Sequence, residues 1–250
     1  MDAEALRNGQ GETARRQAVR AGLSAVLLWV GIEFGLRTVG LVTGALAIAS
    51  MTGVEDPAPA HVGALNNGLL VAAVLALWVA FDRRIRREGI GLPDLGYRFT
   101  RGAGVIGMAC GVGLLGIAAG TASLDVHLFR FNVDEHLATI AATPMLGILA
   151  LFVGNALLAP VVEELAWRGY IQGRLALGWG PRAAPVATAL LFAAKHTIVD
   201  LSLGRSVTLV IGSLALGVIR DRWGTFESTL AHFTLNFTAT TLVVHMALTR

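Results

Sequence analysis

The sequence predicts an all-α, polytopic membrane helix bundle of about seven spans, and three observations carry that reading. Hydrophobic residues make up 54% of the 250 and charged residues 15%, with a mean hydropathy of +0.65; a soluble domain carries about 25% charged residues. Apolar stretches near the ~20 residues that a spanning helix needs recur from Ala21 almost to the C-terminus. Between them, arginines gather in alternate connections, as in multi-pass membrane proteins.

Residues 1–20 form a polar N-terminal segment, and residues 21–250 form a single transmembrane domain. The first span, 21–50, is expected to be retained, because no small-x-small cleavage site follows a short apolar core. It is too long for one upright helix and holds Glu33 and Arg37 four apart, so a single tilted helix with an internal ion pair is expected. Further spans are expected at 62–81, 102–120, 144–165, 183–200, 206–220 and 226–248. The 206–220 stretch is short and rich in Gly, which suits an interior helix. The longest outer connection, 121–143, contains an amphipathic stretch from Asp134 to Ile140 that reads as a short interfacial helix.

Loop charges give the orientation. Arg7, Arg15, Arg16 and Arg20 precede the first span, and Arg83, Arg84, Arg86, Arg87, Arg98 and Arg101 follow the second. Arg174 and Arg182 follow the fourth, and Arg220 and Arg222 the sixth. The alternate connections hold Glu55, Asp56, Asp125, Asp134 and Glu135, opposed only by Arg130 and Arg205. These positions predict a cytoplasmic N-terminus and an outer C-terminus. Of the 20 basic residues only Lys195 is lysine, a bias that fits a GC-rich bacterial genome and hence a bacterial inner (plasma) membrane. No basic, aromatic-interleaved surface points to nucleic acid. Cys110 is the only cysteine and lies in an apolar run, so it reads as a core residue rather than a nucleophile.

Chemistry concentrates in three places. Glu163 and Glu164 sit in an apolar span with Arg168 four residues beyond Glu164, although an ionised side chain at a bilayer centre costs roughly 2.5–3.5 kcal/mol on insertion scales. On a helix Glu164 and Arg168 share a face in the favourable order for an ion pair. Glu163 then points about 100° away and is suited to general-base work on water. Pro160 should kink the helix just before the pair. Next, Phe192 and His196 share a face of the fifth span, with Asp200 a further four residues on. Last, His232 and Asn236 share a face of the seventh, where two donors aimed at one point would stabilise an oxyanion. Alone, each element also reads as a structural polar contact between helices. The same Glu, His, His and Asn set would equally ligate a divalent metal such as zinc.

As a set, Glu-Glu-x-x-aromatic-Arg-Gly, Phe-x-x-x-His and His-x-x-x-Asn resemble the CAAX protease and bacteriocin-processing (CPBP, or Abi) family of intramembrane endopeptidases. Asp94-Leu95-Gly96 and the Gly217 to Arg222 turn are similar to that family as well. The likeness covers about 144–240. It implies that Glu163, helped by His196, activates water, that His232 and Asn236 hold the oxyanion, and that Glu164, Arg168 and Phe192 support them. It implies glutamate-type chemistry, with metal dependence described for several members, in which case Glu163, His196, His232 and Asn236 would be the ligands. Trp167 stands where the family usually has Phe, and Lys195 beside His196 is unusual. The partners so implied are the lipid bilayer and a peptide or lipidated substrate. Two other functions fit the same residues: a non-proteolytic enzyme acting on a hydrophobic, lipid-like small molecule by cyclisation or isomerisation, and a non-catalytic membrane scaffold.

Overall fold

The computed structural model describes residues 3–53, 58–130 and 132–249. Glu55 and Asp56, two of the outer-loop charges, lie outside the described residues. Among the described residues the chain forms eight continuous helical rods and no strand. The first rod joins α1 (Ala3–Glu33), a π-helical segment (Phe34–Val39) and α2 (Gly40–Thr52). Then come α3 (Pro59–Arg87), α4 (Ala103–Phe129) and the short α5 (Val133–Ala142). The fifth rod joins α6 (Met145–Leu151), a π-helical segment (Phe152–Leu158), α7 (Ala159–Glu163), a second one (Glu164–Gln172) and α8 (Gly173–Trp179). The last three are α9 (Ala183–Asp200), α10 (Ser206–Arg222) and α11 (Thr225–Leu248).

Each expected span falls within one of the seven longer rods, and the amphipathic stretch is α5. Four helices, Gly11–Met51, Ala60–Arg87, Ala103–Phe129 and Met145–Trp179, are long and apolar enough to cross a membrane by length and composition. Of the other three, α10 packs against α9, α11 and α4, and α11 also packs against α4. Large apolar side chains such as Leu27, Leu46, Val105, Val112 and Leu146 point outward, a surface suited to lipid and not to water. The chain is a multi-pass membrane protein.

The fifth rod is one helix of 35 residues that continues past Glu163 to Trp179, as a meeting of Glu163 with His196 on the next span requires, so Glu163 lies near its middle. Pro160 has no N–H to offer the carbonyl one turn back, and the turn before it is π-helical, a common response where the α-helical ladder is broken. A core of Trp29, Phe81, Trp167, Tyr170 and Phe192 surrounds the rod, the rings meeting edge to face at centroid separations of 5.2–6.2 Å. Trp167 is fully buried in it, which accounts for the larger ring at that position.

Two features place α11 against the rest. Its first residue, Thr225, donates its N–H to the Gly96 carbonyl at 2.9 Å and its hydroxyl to the Leu95 carbonyl at 2.5 Å. Gly96 adopts φ +82°, which lets the Asp94-Leu95-Gly96 turn present both carbonyls. Further along, Gly107 and Gly111 of α4 lie so close to α11 that a Cβ at Gly111 would stand 2.5 Å from Thr234 Cβ and 2.8 Å from the Ala231 carbonyl. Cys110, between those glycines, is partly buried against the Leu114–Leu216 cluster.

At the arginine-rich end, Tyr170 donates to Glu88 at 2.6 Å, and Arg84 reaches both residues and the Ala21 carbonyl. Burial alone would raise the Glu88 carboxyl, but the Tyr170 hydroxyl and Arg174 outweigh it and hold the group below the usual glutamate range. A carboxyl depressed on folding contributes stability that is complete above its unfolded value, near ~4.3, and is lost as pH falls through the folded value. We expect Glu88→Gln to lower the melting midpoint near neutrality and to flatten its acid limb, so that the two proteins converge at low pH, measured on detergent-solubilised protein. We also expect Gly111→Val to lower the melting midpoint by about 5 °C through overpacking. Gly113→Val, where a Cβ meets nothing within 4 Å, should leave the midpoint unchanged.

Candidate active site

Three carboxylates are buried at the centre of the bundle: Glu33 from the first rod, and Glu163 and Glu164 from the fifth. Burying an ion is tolerated only where fixed charges or donors replace its water. Glu164 is fully enclosed and meets three partners. Arg168 lies 3.2 Å from it, the Ser228 hydroxyl donates to its other oxygen, and His232 Nδ1 stands 2.9 Å from Oε1. Arg168 in turn donates to the Ser213 hydroxyl at 2.9 Å and lies 4.8 Å from the Phe192 ring centroid.

An ionised Glu164 accepts only, so His232 Nδ1 carries the hydrogen of that bond. His232 Nε2 is then the free ring nitrogen, and it faces Glu163 Oε2 at 3.9 Å. The other oxygen of Glu163 accepts from the ammonium of Lys195 at 2.9 Å. The adjacent glutamates therefore differ in kind: Glu164 is saturated, while Glu163 keeps one oxygen turned toward a histidine. Asn236, one turn beyond His232, donates to the Asn155 carbonyl at 3.0 Å, and the Asn155 amide donates to Thr240 at 2.9 Å. Asn155 lies in the π-helical segment before Pro160.

His196 packs edge-on to Phe192 at 4.9 Å, and its Nδ1 is 3.5 Å from Asp200 without the alignment of a hydrogen bond. Its neighbour Lys195 turns toward the carboxylates, not toward the imidazole, and also accepts no water-facing role: it is fully buried. Gln172, two helical turns beyond Glu164, donates to the Gly217 carbonyl and to Asp221, tying the fifth rod to α10. A Cβ at Gly217 would sit 3.0 Å from the Gln172 oxygen, so this glycine keeps the approach open. Surface hollows of about 380 and 550 Å³ lie by Arg15 and Arg174, lined by none of the motif residues.

Residues 145–238 match the family model of the Rce1-like proteins, type II CAAX prenyl endopeptidase Rce1-like. This segment, 94 of the 250 residues, is similar to that family. The Rce1-like family is a protease family, and it is the one that the three motifs resemble. No curated protein and no solved structure matches the chain. The Rce1-like segment contains Glu163, Glu164, Arg168, Phe192, His196, His232 and Asn236, whereas Glu33 lies far upstream of it.

A zinc ion does not fit this donor set. Among the described residues no three His, Cys, Asp or Glu side chains gather as a metal would need. Glu163 already faces an ammonium. Sequence reasoning missed Lys195, Glu33, Asn155 and Ser228 as members of the cluster. The one available signal was Lys195 itself, a lone lysine in an apolar span that demands a carboxylate from some other helix.

Removing Arg168 leaves Glu164 buried with one strong counter-charge fewer. Arg168→Met is expected to destabilise the protein by roughly 3–5 kcal/mol, the usual loss on breaking a buried pair. Denaturant unfolding in mixed micelles checks this.

Proposed function

We propose that the protein is an intramembrane endopeptidase that hydrolyses a peptide bond in a membrane-associated or lipidated substrate. The observation that supports this best is the opposed Glu163 carboxylate and His232 imidazole, 3.9 Å apart inside an Rce1-like segment. One water can bridge two polar groups at that separation. In this reading Glu163 Oε2 takes a proton from that water, and the hydroxide attacks the scissile carbonyl. His232 acts as an imidazolium, with Nδ1–H on Glu164 and Nε2–H on the developing oxyanion, much as a buried carboxylate supports the histidine of a catalytic triad. Asn236 offers the oxyanion the second hydrogen of an amide group whose first is bonded to Asn155. The proton on Glu163 then passes to the leaving amine, which closes the cycle. His196, backed by Phe192 and Asp200, is the second acid–base group on the water side.

Loop charges support an N-terminus in the cytoplasm of a bacterial cell and cleavage within the inner membrane. A quenched fluorescent peptide ending in a farnesylated CaaX sequence, beside its unlipidated twin, is the probe. Glu163→Ala is expected to lower hydrolysis by about 10²–10⁴-fold, and Asn236→Ala by about 10²-fold, mainly in kcat. Full activity in Glu163→Ala would sink the mechanism.

A further inference from the structure

Lys195 is the only lysine in a chain whose other basic residues are arginine. It is fully buried, and it joins two carboxylates from separate rods: Glu163 Oε1 at 2.9 Å and Glu33 Oε2 at 3.0 Å. Its ammonium also lies 5.0 Å from the Phe192 ring centroid and 5.5 Å from that of Trp29. Glu33 is fixed in turn by the Trp29 indole N–H at 2.6 Å and by Arg37 at 3.0 Å. Arg37 continues to Asp200 at 3.1 Å, and Asp200 to the half-exposed Arg205 at 2.9 Å. The charges alternate in sign along this chain from Glu163 to the end of α9.

We propose that Lys195, anchored by Glu33, is the fixed cation of the active site: a positioning residue that orients Glu163 and takes the place a divalent metal ion would otherwise occupy. Its catalytic consequence rests on the peptidase reading above; the charge bridge and its exclusion of metal do not. The geometry gives two reasons. With one oxygen held by Lys195, Glu163 is left with Oε2 directed at His232. A compact ammonium also supplies hydrogen bonds and charge from one point, which a planar guanidinium would not deliver to two carboxylates converging from opposite sides. A divalent ion on Glu163 would stand against that ammonium in a medium that screens little. Glu33 lies outside the Rce1-like segment, so the first rod completes a site whose other members are supplied by residues 145–238.

Three measurements on the full chain in detergent micelles test this. After incubation with zinc and gel filtration, elemental analysis should find the unsubstituted protein sub-stoichiometric in zinc, and chelator should not move its melting midpoint. Lys195→Met should lower that midpoint by about 10 °C, and adding Glu33→Gln should restore at least half of the loss. On the farnesylated peptide, Lys195→Met should lower kcat by about a hundredfold with KM unchanged, and Lys195→Arg should regain part of it. Stoichiometric zinc, removable with a fall in midpoint, overturns the proposal, as do independent, additive losses from Lys195→Met and Glu33→Gln. If Lys195→Met does not fold, the charge-balanced double variant and Lys195→Arg carry the comparison. No turnover in the unsubstituted protein would defeat the peptidase reading alone, and the zinc and melting results would still decide the bridge.

Discussion

A carboxylate that stays ionised inside a lipid-embedded bundle has to be met by charges and donors already fixed in place. That constraint shapes this protein. Glu33, Glu163 and Glu164 come from two long, apolar rods. Trp29, Arg37 and Arg168 of the same rods meet them, and three further partners come from α9 and α11, with Ser213 of α10 holding Arg168. Lys195 is on α9, Ser213 on α10, and Ser228 and His232 on α11. The lipid-facing rods enclose them, and Gly107 and Gly111 let α11 come close enough for its side chains to reach the fifth rod.

Two adjacent residues of one type end in different states because their oxygens are counted out differently. A carboxylate offers about four lone-pair sites. Glu164 accepts from the Ser228 hydroxyl on one oxygen and meets His232 Nδ1 and the Arg168 guanidinium at the other. Glu163 has one oxygen on Lys195 and one facing His232 Nε2.

Much of this was legible in the sequence. Span positions followed from apolar length alone, and the pairing of Glu164 with Arg168 from helical spacing. The three polar motifs were evident because ionisable residues in apolar stretches are rare enough to stand out. The hidden part is long-range. Glu33 read as the partner of Arg37, which it is, but a second contact to a lysine 162 residues away leaves no local pattern. The π-helical segments were equally silent apart from Pro160, since a single extra residue per turn does not change an all-apolar periodicity. Asn155 and Ser228 passed as ordinary polar residues of membrane helices, and only the fold brings them to Asn236 and Glu164.

The charges around Glu163 also balance locally. Glu33, Glu163 and Asp200 face Lys195, Arg37 and Arg205, and Glu164 faces Arg168, so each negative group has a positive counterpart among its neighbours. Adding a doubly charged ion to such a set without expelling a cation would leave excess charge in a low-dielectric interior, where like charges repel strongly. A substrate carbonyl brings no net charge, and in the proposed mechanism the negative charge of hydrolysis develops beside His232 and Asn236. The carboxylates and the Lys and Arg side chains of the cluster are thus matched before reaction, and in the proposed mechanism the His232 imidazolium and the Asn236 amide stand where charge would arise, which is the electrostatic condition for stabilising a transition state without reorganising the protein.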